Sequence, residues 1–108
     1  MASTEENDQL KEHFWAVGVN ARNTIQYIEL VSLGTLNASL VHPRESFRLA
    51  IQKSVACIFF VHNHPSGDAE PSAEDRAVTR RLKEAGEILG IQVVDHLVIT
   101  ATSFSSTN

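Results

Sequence analysis

The most apolar stretch of the chain, Val55-Ala56-Cys57-Ile58-Phe59-Phe60-Val61, is rich in β-branched and aromatic residues and reads as a buried strand. The residues just beyond it narrow the folding problem further. His62 and His64 alternate at its carboxyl end, so both imidazoles leave the backbone on one side, with Cα atoms roughly 6.5–7 Å apart. Pro65, Gly67 and Pro71 punctuate a loop that turns the chain back. Ser72 then opens a helix with Asp75 in its first turn. Two neutral nitrogens and one carboxylate brought together this way make a three-ligand metal site with positions left open, the pattern of a catalytic zinc rather than a structural one. Taken singly, each piece has a plainer meaning. Ser72-x-x-Asp75 is a capping box that satisfies orphan amides at a helix start, and paired histidines at a strand end often face only solvent. The combination is what points to a metal.

The remaining elements arrange themselves around that stretch. Residues 14–20 and 24–32 read as strands joined through Ala21-Arg22-Asn23 into a β-hairpin. Gly34-Thr35-Leu36-Asn37 is turn-like. Pro43 suits the first turn of a helix over 43–53, with Glu45 on the side the helix dipole favours. Phe47, Ala50, Ile51 and Ser54 fall on one face of that helix. A longer helix over 72–89 carries the apolar stripe Val78, Leu82, Ala85 and Leu89, and Gly90 is placed to end it. Residues 91–100 form the last clear strand, Phe104 is expected to close the core, 1–9 to be a flexible leader and 105–108 a polar tail. The order β-β-α-β-α-β predicts a single α/β domain, a mixed β-sheet flanked by helices, with the metal site at the carboxyl end of the central strand.

At 108 residues the chain supports one domain with a core that needs no staples. Its one cysteine, Cys57, is expected to be a small buried hydrophobe; no disulfide is possible within the chain, which suits a reducing, cytoplasmic setting. No signal peptide or apolar run of bilayer length is present. The formal charge is −4 and the basic residues are scattered, which gives no strong case for nucleic acid. Arg76, Arg80, Arg81 and Lys83 share one helix with Glu74, Glu84 and Glu87, as on a solvated face. An exposed strand at the sheet margin would permit a homodimer.

His62-x-His64 followed by Ser72-x-x-Asp75 matches the JAMM motif of the JAB/MPN metalloprotease superfamily at its spacing. Within that superfamily the chain resembles the RadC family. The likeness rests on His62-Asn63-His64-Pro65-Ser66-Gly67-Asp68, Gly34-Thr35-Leu36-Asn37, Val41-His42-Pro43-Arg44-Glu45, Ala85-Gly86-Glu87-Ile88-Leu89-Gly90-Ile91 and Asp95-His96, and it covers residues 10–104. It implies a cytidine-deaminase-like α/β sandwich holding one zinc (Zn2+) through His62, His64 and Asp75, with water in the fourth place. It also implies a glutamate general acid/base near the first strand. Glu12 is the best match and Glu45 the fallback; a solvated acid before a strand and an ordinary helix-start acid are their plainer meanings. RadC proteins usually carry an amino-terminal segment of helix-hairpin-helix character. Nothing like it precedes Leu10 in these residues, so a DNA-binding role borrowed from that segment has no residues to land on.

The implied chemistry is hydrolysis of a peptide or isopeptide-linked protein substrate by a metallopeptidase whose metal lowers the pKa of its water toward ~7. Ser72 would donate its hydroxyl to the developing oxyanion. Asp95 and His96 point to opposite faces of a strand, so at most one faces the metal directly, either orienting the ligands or simply satisfying a strand end. His13 and His42 have no partner spacing and are read as non-catalytic. Two readings from other classes compete. Two histidines and a carboxylate also build the facial triad of non-haem iron oxygenases. A metal-free MPN-like module, non-enzymatic or nucleic-acid-associated, is the other.

Overall fold

The first strand, β1 (His13–Val19), is buried along its whole length because it lies between two partners. It pairs antiparallel with β2 (Ile25–Leu33) on one side and with β3 (Cys57–Asn63) on the other. β3 pairs in parallel with β4 (Gln92–Ile99), and β4 antiparallel with β5 (Phe104–Ser106). The structure, a computed structural model, describes residues 11–34, 36–39 and 41–107. Among them one mixed sheet has the order β2-β1-β3-β4-β5, with the histidine strand at its centre. The expected leader lies outside the described residues. Three helices accompany the sheet: α1 (Pro43–Ser46), α2 (Arg48–Gln52) and α3 (Ala73–Leu89). α3 is the crossover that a parallel β3–β4 pair requires.

Period-two alternation divides the core between the two faces of the sheet. Phe14, Ala16, Ile58 and Phe60 point to the helical layer and pack with Phe47, Ala50, Val78 and Leu82. Trp15, Val17, Val19 and Val61 point the other way and form a second cluster that contains no helical residue. One irregularity matters for the site. Between Ile58 and Phe59 the register of β4 advances by one residue, so Val94 is the extra residue of a bulge and His96 comes opposite Phe60. Paired residues share a face, and the bulge therefore turns His96 into the helical layer beside His62.

Several details differ from expectation. The helix over 43–53 is two short helices broken at Phe47, whose φ of −104° and ψ of 3° leave the helical region. The break drives Phe47 into the core, edge-on against Phe60 at 5.7 Å between ring centroids. Ile51 is then 53% exposed, and Ser54, at φ +53°, turns the chain instead of lining the helix. Leu89, in the last turn of α3, is 43% exposed and falls outside the stripe, and Phe104, on the edge strand β5, is 71% exposed. Residues 104–106, expected to be a core residue followed by a polar tail, instead supply an edge strand. Cys57 is half-buried, at the margin of the second cluster. As expected, Gly90, at φ +74°, caps α3 in the left-handed conformation. None of the described helices is long and apolar enough to cross a membrane.

Candidate metal centre

Strand β3 and the start of α3 deliver the three motif residues to one point. His62 and Asp75 are almost fully buried and His64 is half-buried. One ligand atom from each lies within 4.8 Å of the other two. Asp75 Oδ1 is 3.2 Å from His62 Nδ1, and Oδ2 is 2.9 Å from His64 Nε2. The imidazole planes of His62 and His64 stand nearly perpendicular, with centroids 5.0 Å apart.

The helix start is both a cap and part of the cluster. Ser72 Oγ accepts from the Asp75 N–H at 3.0 Å, and the Ser72 N–H donates back to Asp75 Oδ2 at 2.8 Å, completing the capping box. Capping and ligation, which the sequence sets against each other, are compatible: the cap uses the backbone amides and fixes the carboxylate where the imidazoles meet it. Burial alone would push the Asp75 carboxyl up. The adjacent His62 imidazole and the hydrogen bond from the Ser72 amide prevail and hold it well below the usual carboxylate range.

The surrounding hydrogen bonds prepare the imidazoles to ligate. His64 Nδ1 lies 2.8 Å from the Asp68 carbonyl oxygen, which can only accept, so Nδ1 carries a proton and Nε2 is turned to the centre. There Nε2 faces Asp75 Oδ2 at 2.9 Å, a gap that either a proton on Nε2 or a cation held by both atoms bridges. Both nitrogens of His62 are buried without a hydrogen-bond partner, although Asp75 flanks one and Glu12 the other. The Asp75 carboxylate and the two imidazoles form a donor set that fits a divalent cation.

Glu12 reaches the centre from the opposite side. Phe14 stands opposite His62, so two residues earlier Glu12 comes level with His64. Glu12 Oε1 is 3.4 Å from His62 Nε2, while Oε2 accepts from the Leu36 N–H at 3.2 Å. Glu45 is exposed in the first turn of α1 and takes no part in these contacts. His96 is fully buried, with its ring 6.2 Å from that of His62 and its Nδ1 2.8 Å from the Thr79 hydroxyl. Thr79 in turn donates to the Asp75 carbonyl at 2.9 Å. Asp95 faces away and accepts from Ser106 on β5. His13 stacks on Trp15, with Nδ1 bonded to the Lys11 carbonyl.

The family model for the RadC-like JAB domain matches residues 1–108. The chain belongs to the RadC-like JAB domain family. A UPF0758 protein of Desulforudis audaxviator is 54% identical over 96 residues, covering 89% of this chain and 42% of that protein. A UPF0758 protein of Caldanaerobacter subterraneus subsp. tengcongensis is 58% identical over 89 residues, 82% of this chain and 38% of its own length. One from Geobacillus kaustophilus is 52% identical over 96 residues, again spanning 42% of the relative. The chain thus corresponds to less than half the length of these relatives.

Two residues around the site are absent from the candidates that sequence reasoning picks out. Thr79 lies four positions after Asp75 and so one helical turn away, a spacing that could have marked it. Asn63, between the two histidines, points to the opposite face of β3 and carries no such signal.

Proposed function

We propose that this domain is a zinc-dependent hydrolase of the JAMM type that cleaves a peptide or isopeptide bond. The observation that carries the proposal is the convergence of His62, His64 and Asp75 with Glu12 alongside. Three residues form a ligand set, and a fourth, the Glu12 carboxylate, stands beside it with Oε1 3.4 Å from His62 Nε2. Two nitrogens and one oxygen suit zinc, which when bound supplies Lewis acidity and an acidified water near neutral pH.

The remaining work falls to the chain's own side chains. Glu12 Oε1 accepts a proton from the attacking water and returns it to the leaving amine, an exchange worth about 10²–10⁴ in rate. The Leu36 amide occupies Oε2, which keeps Oε1 turned inward. Ser72 is exposed, and its oxygen already accepts from the helix, so its hydroxyl proton remains for the developing oxyanion, a contact worth roughly 3 kcal/mol in comparable settings. The proton held on His64 Nδ1 by the Asp68 carbonyl secures the tautomer that ligation requires.

The test pairs metal analysis with turnover of fluorogenic peptide and isopeptide substrates. His64→Ala is expected to lose zinc and activity together. Glu12→Gln is expected to keep one zinc per chain and lose hydrolysis by about 10²-fold or more. Full activity in Glu12→Gln would remove Glu12 from the mechanism, and stoichiometric iron with redox activity would replace hydrolysis by oxygen chemistry.

A further inference from the structure

The segment carrying Glu12 lies ahead of β1, where an acidic side chain would ordinarily wave in solvent. Its direction is set by a neighbour in the middle of the histidine motif. Asn63 projects from β3 away from His62 and His64, and its carboxamide spans the residues on either side of Glu12. Asn63 Oδ1 accepts from the His13 N–H, and Nδ2 donates to the Lys11 carbonyl at 2.9 Å. These partners dictate the amide's orientation, since an N–H requires the oxygen and a carbonyl requires the nitrogen. The carbonyl of Glu12 itself accepts from the Gly34 N–H at 2.8 Å. The peptide groups around Glu12 are therefore pinned, and its side chain emerges toward His62.

From this we infer that Asn63 is a positioning residue that sets Glu12 against the metal centre. The two ligands and the means of aiming the base then come from three consecutive residues, His62-Asn63-His64, with period-two alternation sending the imidazoles to one face and the clamp to the other. Only a carboxamide offers a donor and an acceptor at this reach. Aspartate lacks the donor, and serine is too short to span both groups. The inference rests on the proposed role of Glu12, yet its geometric half can be read independently of turnover.

Amide hydrogen exchange supplies that independent readout. The Leu36 N–H bonds to Glu12 Oε2, whereas the Asn63 carboxamide bonds to His13 and Lys11. In Asn63→Ala the His13 and Leu36 amides are both expected to lose protection, by about tenfold, while the amide of Leu82 in the core of α3 keeps its own. Asn63→Asp, nearly identical in shape, loses the donor to Lys11 and is expected to expose Leu36 likewise. Both variants retain one zinc per chain. Asn63→Ala is expected to lower kcat about a hundredfold with KM little changed, and to have no further effect in a Glu12→Gln background. Unchanged protection at Leu36 in both variants, or full additivity with Glu12→Gln, would overturn the inference and leave Asn63 as a tie between strand ends. Loss of protection at Leu36 in a protein whose wild type hydrolyses nothing would count against the proposed activity while leaving the clamp intact.

Discussion

His96 shows how one residue of the site trades stability against pH. It is fully buried beside Phe14 and His62, and its imidazole is pushed down from 6.5 to about 4, chiefly because burial disfavours the charged form; Asp75 and Asp95 pull the other way. As pH falls, the unfolded chain takes up this proton before the folded one does. The stabilisation that accompanies neutral His96 is therefore complete above pH 6.5 and is lost as pH falls toward 4, on the order of 3 kcal/mol across the window. Urea unfolding at pH 7 and at pH 4.5 should show that loss, and His96→Asn, which cannot titrate, should flatten the profile. Asp75 behaves differently. Its carboxyl is held so low that its contribution persists until far more acidic conditions.

At the scale of elements, the helix start and the first hairpin each turn on one residue. Ser72→Ala removes the side-chain half of the capping box and should cost about 1 kcal/mol in chemical denaturation. Zinc binding measured by chelator competition should change little, because the bond that holds the Asp75 carboxylate comes from the Ser72 backbone N–H, which alanine keeps. In the hairpin, Gly18 lies opposite Tyr27, and the phenol ring crosses it so closely that an added Cβ would stand 2.0 Å from Tyr27 Cε1. Gly18→Ala must therefore displace the ring, at about 1–3 kcal/mol, read from thermal or urea unfolding. Burial, aided by Glu29, raises the Tyr27 phenol to about 12, so wild type should resist phenolate formation above pH 10 and the variant should ionise nearer that value. A phenol titrating at pH 10 in wild type would show that the ring does not lie across Gly18.

Over the whole molecule, the features legible in the sequence are the local ones. Strand, loop and helix start fall within one short stretch, so the ligand triad could be read from alternation, turn residues and a cap. The parts that depend on distant pairing were harder to see. Glu12 could be favoured over Glu45 only by resemblance, because its place beside His62 comes from the β1–β3 register. The bulge that turns His96 inward leaves no mark in composition. Phe47 and Phe104 misled for opposite reasons: one breaks a helix to reach the core, and the other lies on an edge strand beyond it. The order of the strands nonetheless puts every member of the site at one end of β3, and the central claim is that His62, His64 and Asp75 share one divalent ion. Crystals of the wild-type protein grown with zinc test it most directly, by anomalous scattering at the zinc edge. A single peak about 2.0–2.2 Å from an imidazole nitrogen of His62, one of His64 and an Asp75 oxygen is the predicted result; no peak there, or a peak on other side chains, would contradict it.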